Sequence, residues 1–181
     1  MLYVDELSFT EVGGVPTGTL DLKNNGMVIE FATTTAARNN ETNLLRDWLI
    51  EGRGGMGVGN GTWDGTGITS STAEAWNAGQ AEQRSIGYVV NADLAALVHG
   101  EYTTFLGHTV DSSCTLLRYT VTCDTDLNGT VNEDDITVLG TQYNPSEQNP
   151  HWTHGDADYN WFVDDDDVTL FGAMNGLSLE S

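Results

Sequence analysis

Short segments rich in apolar, aromatic and β-branched residues predict β-strands across the first two-thirds of the chain. The segments with this pattern are residues 2–9, 85–90, 102–106 and 115–122. Two more apolar segments, 20–22 and 27–31, lie on either side of Asn25-Gly26. This dipeptide favours the positive φ angles of a two-residue turn, so the sequence predicts a β-hairpin at this point.

Apolar residues at helical spacing predict a helix over residues 41–51. One face of this helix carries Leu44, Leu45, Trp48 and Leu49. Asn40 is the expected N-cap and Gly52 the expected stop. The segment Ser71-Thr-Ala-Glu74 is typical of a capping box that opens a short helix, and residues 91–100 are a third helical candidate. We therefore expect an α+β fold that begins with a β-rich, sandwich-like domain containing short helices.

Charge is distributed unevenly along the chain. The 181 residues include 27 Asp and Glu against 6 Lys and Arg, a net charge of −21. This balance argues against nucleic-acid binding and against docking on an anionic membrane. No apolar run approaches the roughly 18 residues of a membrane-spanning helix, so we expect no membrane insertion. Residues 119–181 contain 13 acidic residues and no Lys or Arg, and a divalent cation is the expected counter-charge.

Oxygen-bearing side chains recur at fixed spacing in this acidic region. Residues 124–135 place them at positions 1, 3, 5, 9 and 12 of a twelve-residue run, and residues 156–167 repeat the spacing 32 residues later. The apolar stretches that follow, 136–140 and 168–172, also align. This is the pattern of the EF-hand loop, in which six to eight oxygens converge on Ca²⁺.

The repeat therefore predicts two Ca²⁺ sites. The first is expected to use Asp124, Asp126, Asn128, the carbonyl of Thr130, Asn132 and Asp135. The second is expected to use Asp156, Asp158, Asn160, the carbonyl of Phe162, Asp164 and Asp167.

The second run departs from the pattern at position 6, where Trp161 replaces the usual glycine. A bulky residue at positive φ is costly. Either the second site is distorted or weakened, or Trp161 and Phe162 form an exposed apolar contact for a partner.

Residues 120–177 resemble the paired calcium-binding repeats of type I dockerin modules. Position 12 is Asp rather than the Glu usual in EF-hands, and a predicted strand stands where an EF-hand has its incoming helix; both features are also found in dockerins. The resemblance implies two Ca²⁺ sites, two antiparallel helices, and a role in holding proteins together outside the cell. Segments 20–28, 63–71 and 117–120 resemble the β-domain that precedes dockerin repeats in large secreted bacterial proteins. We accordingly expect a β-rich domain at residues 1–119 and a dockerin-like domain at residues 120–181.

Other motifs add little to this interpretation. The glycine-rich segment 52–61 contains G-x-G-x-x-G but follows a predicted helix, which indicates a loop rather than a phosphate site. His151 and His154 are expected in a surface linker. Cys114 and Cys123 flank a predicted strand, so they can bridge to each other only if the chain folds back; otherwise they are free or bridge to another chain.

The sequence thus predicts an extracellular or cell-surface, non-enzymatic, calcium-binding assembly protein. Its partner is either a cohesin-like protein or another copy of the chain, which would build a filament or sheath. In the second version, the Arg residues at 38, 46, 53, 84 and 118 would face the acidic last third of the next copy, with Trp152, Trp161 and Phe162 as anchors. The enzymatic alternative is a small carbohydrate-active or hydrolytic domain anchored to a cohesin-like partner.

Overall fold

The computed structural model describes residues 1–30, 35–148 and 151–180, with the backbone alone for residues 35–38. The strands are β1 (Leu2–Val4), β2 (Glu11–Val12), β3 (Val15–Pro16), β4 (Thr19–Asp21), β5 (Gly26–Glu30), β6 (Gly67–Thr69), β7 (Arg84–Val90), β8 (Thr104–Phe105), β9 (His108–Thr109) and β10 (Cys114–Val121). The α-helices are α1 (Thr35–Arg53), α2 (Ser71–Asn77), α3 (Glu133–Gln142) and α4 (Asp165–Met174), and two 3₁₀ helices span Asn91–Ala96 and Trp152–His154. This mixture of helices and short strands agrees with the α+β class.

The largest sheet has the strand order β1-β5-β10-β7, with β1 parallel to β5 and the other pairs antiparallel. The remaining strands of the described residues form the pairs β2-β3, β4-β6 and β8-β9. The strands predicted at 85–90 and 115–122 are confirmed as β7 and β10. Those predicted at 2–9 and 102–106 are much shorter. Within the described ranges, no second sheet of comparable size faces the first, so the sandwich-like part of the prediction is not seen.

The predicted hairpin at Asn25-Gly26 is wrong. Strand β4 pairs with β6 while β5 pairs with β1 and β10, so the segments on either side of the turn belong to different sheets. The chain turns instead at Lys23, which has φ of 53°, and the N–H of Asn25 donates to the carbonyl of Leu22 (3.0 Å). The carboxylate of Asp21 accepts from the N–H of Lys23 (2.9 Å), a local bond that favours this turn over a hairpin.

Helix α1 is longer than the sequence predicted. It begins at Thr35, before the expected N-cap Asn40, and ends at Arg53, beyond the expected stop Gly52. Gly52 serves packing instead of termination, because a Cβ at this residue would lie 1.8 Å from the carbonyl oxygen of Ile68 in β6. The close contact between α1 and β6 therefore requires a residue without a side chain at position 52.

Helix α2 is confirmed, but its N-cap is Ser70, whose hydroxyl accepts from the N–H of Ala73 (2.9 Å). The capping box predicted from Ser71 and Glu74 is therefore wrong by one residue. Ser71 instead donates through its N–H (2.9 Å) and hydroxyl (2.7 Å) to the carboxylate of Asp21, which ties α2 to the end of β4. The third helical candidate is a 3₁₀ helix that ends at Ala96.

Gly52→Ala is expected to lower the free energy of unfolding by about 1–3 kcal/mol, because the added methyl group overlaps the backbone of β6. Gly172→Ala is a matched control, since Gly172 lies in α4 with no atom within 4 Å of an added Cβ. That control should gain up to about 1 kcal/mol from helix propensity. Urea unfolding in calcium measures both, and equal effects would contradict the packing role of Gly52.

The hydrophobic core joins the acidic last third to the rest of the chain. Leu127, Trp152 and Tyr159 belong to the same buried cluster as the residues of β5, β7 and α1. A smaller cluster beneath α3 and α4 includes Val131 and Phe171. Strand β10 runs through the boundary predicted between residues 119 and 120, which stays a prediction. None of the helices in the described residues combines the length and apolar character needed to cross a bilayer.

Candidate metal centre

Three buried aspartates converge in the loop that precedes α3. They are Asp124, Asp126 and Asp135, at positions 1, 3 and 12 of the first predicted calcium loop. Their carboxylate oxygens lie within 4.8 Å of one another, and these residues are 0%, 6% and 0% exposed. We call this group the first triad.

The loop that precedes α4 repeats the arrangement. Asp156, Asp158 and Asp167 occupy the same three positions, are buried, and also bring their carboxylate oxygens within 4.8 Å. We call this group the second triad. The 32-residue repeat seen in the sequence is therefore a repeat in three dimensions.

Backbone amides orient the carboxylates in the same way in both loops. The N–H at position 5 donates to the carboxylates at positions 1 and 3, at 3.1 and 2.9 Å in the first loop and at 3.0 Å for both in the second. The carboxylate at position 12 accepts from the N–H at position 2, at 2.8 Å in each loop. These bonds fold a short run of alternating polar residues around one point.

Each loop ends by capping the helix that follows it. Asn132 accepts from the N–H of Asp134 (2.7 Å), and Asp164 accepts from the N–H of Asp166 (2.9 Å). The position-12 carboxylates reach back to the N–H at position 9, at 2.8 and 3.0 Å. The two position-9 side chains, predicted as ligands, thus act here as N-caps and lie outside the triads.

The other predicted ligands lie beside the triads. The side-chain nitrogens of Asn128 and Asn160 donate to the position-3 carboxylates (2.8 and 3.2 Å). Their side-chain oxygens accept from the N–H of Thr130 and Phe162, both at 2.8 Å. The structure therefore places all twelve predicted residues in two loops, six of them as converging carboxylates.

Position 6 takes the left-handed conformation in both loops, with φ of 96° at Gly129 and 78° at Trp161. Position 4 is also left-handed, at 63° for Leu127 and 64° for Tyr159. The second loop therefore follows the same path as the first despite its tryptophan, and the expected distortion is not seen. Trp161 is half-buried and packs against the main core.

Burial shifts the pKa values of these carboxyls. It raises the pKa of Asp124 well above its ordinary value, that of Asp156 to about 7 against the opposing effect of Arg46, and that of Asp167 to about 8. Burial would also raise the pKa of Asp126, but a hydrogen bond from His99 holds it below its ordinary value. Ionised carboxylates in such surroundings are costly without a positive charge among them.

Both triads fit a hard divalent cation. Carboxylate oxygens are the ligands that such cations prefer, and a bound ion would supply the missing positive charge. The two groups of buried aspartates could therefore hold two metal ions.

Residues outside the predicted loop fix the first triad, and sequence analysis missed them. The Thr120 hydroxyl donates to the Asp124 carboxylate, and the indole N–H of Trp152 donates to the Asp124 carbonyl (2.6 Å). His99 Nδ1 lies 3.0 Å from the Asp126 carboxylate. Thr120 is buried on β10, the strand that enters the loop, but nothing in the sequence pattern distinguishes Thr120 or His99 as a partner of the triad.

The second triad is fixed by the first part of the chain. The Arg46 guanidinium, on α1, forms a buried ion pair with the Asp156 carboxylate. The N–H of Gly57 donates to the Asp158 carbonyl (2.8 Å), and the guanidinium of Arg53 donates to the carbonyls of Gly55 and Gly57 (2.7 and 3.2 Å). The glycine-rich segment is thus a structural loop wrapped around Arg53.

Side chains expected at an interface between copies make contacts within the chain. Arg46, Arg53 and Arg84 are buried, and Arg118 donates to the Leu127 carbonyl (2.5 Å). Trp152, predicted as a surface anchor, is 1% exposed. Arg46, Arg53 and Trp152 have partners that are 28 or more positions away along the chain, so the sequence pattern does not indicate these contacts. Arg38 lies outside the residues whose side chains the structure describes.

The cysteines and histidines are also internal. Cys114 and Cys123 are free and buried. Cys114 begins β10 and Cys123 lies two residues beyond its end, so a straight strand separates them by too much for a disulfide. His151 and His154 stack on each other with ring centroids 5.6 Å apart. Burial lowers the pKa of His151 to about 4. These histidines are half-buried rather than part of an exposed linker.

A pocket of about 310 Å³ lies between the glycine-rich segment and the end of α2. Three carboxylates line it, those of Asp64, Glu74 and Glu82. Glu82 already accepts from Arg53 (2.5 Å) and from the indole N–H of Trp63 (2.9 Å). Only the first two carboxylates are therefore without a buried cationic partner.

The chain was compared with family models, curated proteins and solved structures, and none of them matches. The interpretation of the two triads accordingly depends on their own geometry.

Proposed function

We propose that this chain is an extracellular, non-enzymatic, calcium-binding assembly protein whose last third is a dockerin-like pair of loop–helix motifs. One observation carries the proposal. Two buried aspartate triads occur at the same positions of two loops with matching hydrogen bonds, and each loop caps a ten-residue helix. A repeat of this kind is explained by a ligand that each loop must surround.

Calcium is the cation that these loops suit best. Each loop offers three carboxylates, an amide side chain at position 5 and a backbone carbonyl at position 7, which is the oxygen-rich set that Ca²⁺ takes. Mg²⁺ keeps more of its water and demands a stricter octahedron, so it needs fewer protein ligands than these loops supply.

The surfaces of α3 and α4 support a role in association. Ile136 and Val168, at equivalent places in the repeat, are 38% and 45% exposed. No atom approaches within 4 Å of a Cβ added at Gly140 or Gly172. Each helix thus presents an uncharged, open strip through which another protein can approach the backbone closely.

Docking onto a separate, cohesin-like protein is the better supported version. Of the side chains that would join copies of this chain, Arg46, Arg53, Arg84, Arg118 and Trp152 make contacts within it, and Cys114 and Cys123 are buried. The exposed strips on α3 and α4 remain, and they are short and uncharged, as suits a specific contact with a complementary surface.

The enzymatic alternative would need a cavity with free carboxylates. The pocket beside the glycine-rich segment offers Asp64 and Glu74 in addition to the arginine-paired Glu82. Polysaccharide hydrolysis that is lost in Glu74→Gln would establish that alternative.

The association is tested by light scattering together with binding to immobilised type I cohesin domains, each with and without calcium. We expect a monomer that binds a cohesin domain only in calcium, and a double variant Ile136→Asp/Val168→Asp that loses binding. Val12→Asp is the control, since Val12 is 71% exposed and distant in sequence from both helices. Calcium-dependent self-association would favour the polymer version. A monomer that binds no cohesin domain would contradict the assembly function.

A further inference from the structure

The two triads differ in what contacts the carboxylate at position 1. In the first loop, one oxygen of Asp124 accepts from the N–H of Gly129 (2.8 Å) and from the hydroxyl of Thr120. Both donors are neutral. The ionisable base beside this triad is His99, 3.0 Å from the Asp126 carboxylate, and an imidazole, unlike a guanidinium, can give up its charge.

In the second loop, the corresponding oxygen of Asp156 accepts from the N–H of Trp161 (3.2 Å) and from the guanidinium of Arg46. The side chains of the ion pair are 1% and 0% exposed. A permanent positive charge thus stands where the first loop has a hydroxyl.

Trp161 completes this arrangement. The guanidinium carbon of Arg46 lies 3.7 Å from the centre of the Trp161 ring, a cation–π contact that covers the ion pair. The ring is positioned by the left-handed backbone of Trp161, which a glycine would adopt without strain. The tryptophan at position 6 is therefore accounted for by the arginine that it covers.

We propose that Arg46 is a built-in counter-ion, which makes the second site the weaker of the two calcium sites and holds its loop folded when calcium is absent. The inference rests on the proposed calcium function. The guanidinium repels a divalent cation bound on the other side of Asp156, and burial keeps water from screening that repulsion. The same charge offsets the repulsion among the three carboxylates in the metal-free protein.

Calcium would then load and leave the two sites in a fixed order. The first site fills at the lower calcium concentration, and the second is the first to empty when calcium falls. Because Arg46 is on α1, the metal-free second loop stays attached to the first part of the chain. The second loop, with α4 and its exposed strip, is thus the part of the assembly surface that responds to small changes in calcium.

The test follows the backbone amides of Gly129 and Trp161 by NMR during a calcium titration, since each donates to the position-1 carboxylate of its own site. We expect the amide of Trp161 to titrate at a calcium concentration about tenfold higher than that of Gly129. Arg46→Met should tighten the second site by about tenfold while lowering the melting temperature of the metal-free protein. Arg46→Lys keeps the charge and should keep the weak affinity, and Thr120→Val should leave the second site unchanged.

A second variant covers the case in which Arg46→Met does not fold. Trp161→Gly relieves the left-handed backbone and exposes the ion pair to water, so it should fold and tighten the second site severalfold. Equal affinities of the two sites in the wild-type protein would overturn the inference, as would weaker calcium binding in Arg46→Met or Trp161→Gly. If neither amide responds to calcium in the wild-type protein, the proposed calcium function itself fails.

Discussion

Removal of calcium is expected to lower the melting temperature by about 15–30 °C. A ligand at a thousand times its dissociation constant stabilises the folded state by about 4 kcal/mol per site, so two sites contribute about 8 kcal/mol. For a chain of this size, each kcal/mol corresponds to about 2–4 °C. The structure gives the reason, because six carboxylates are buried in two groups that a cation would neutralise. Differential scanning calorimetry in calcium and in EGTA measures the shift.

Neighbouring aspartates provide the control for this experiment. Asp135→Asn removes a carboxylate of the first triad, whereas Asp134→Asn changes the exposed residue beside it in the first turn of α3. The first variant should lose much of the calcium-dependent shift, and the second should keep it. Identical melting curves in calcium and in EGTA would contradict the presence of either metal site.

The two loops could be predicted from the sequence because their structure is local. Twelve consecutive residues supply the carboxylates, the cap and the turn, and most of the loop's hydrogen bonds join residues that are close in the chain. The left-handed backbone at Trp161 is also a local feature, because its N–H donates to the position-1 carboxylate as the N–H of Gly129 does in the first loop. Such local patterns can be recognised in the sequence without knowledge of the rest of the fold.

The contacts that attach the loops to the rest of the protein could not be predicted in this way. The Arg46–Asp156 ion pair joins residues 110 positions apart, and no periodicity links them. The prediction of a hairpin at Asn25-Gly26 is wrong for the same reason, because β4 pairs with β6 and β5 pairs with β10, both of which are distant in sequence. Gly52 looks like a helix stop in the sequence, but the structure requires glycine there because β6 approaches the helix closely.

Acidification should stabilise the metal-free protein. Burial raises the pKa of Asp156 to about 7 and that of Asp167 to about 8, from an ordinary value of 3.8. Between pH 3.8 and these folded-state pKa values, the folded state therefore binds more protons than the unfolded state. Stability then falls as pH rises through the folded-state pKa values and is regained as pH falls below them.

The expected gain is about 2–3 kcal/mol between pH 8.5 and pH 6.5, since each pKa unit corresponds to about 1.4 kcal/mol. Burial lowers the pKa values of His151 and His154, so these histidines begin to oppose the gain at the acid end of this window. Urea unfolding of metal-stripped protein at the two pH values measures the gain.

Calcium should abolish this gain, because the bound cation keeps the carboxylates ionised in the folded state and acid then competes with the metal. Asp167→Asn should remove the larger part of the gain in the stripped protein, since the most strongly shifted of the two carboxyls is lost. Asp166→Asn, an exposed neighbour in the first turn of α4, should leave it intact. If the free energy of unfolding of the metal-stripped protein decreases when the pH is lowered from 8.5 to 6.5, the carboxyls are not buried close together, and the triads are contradicted.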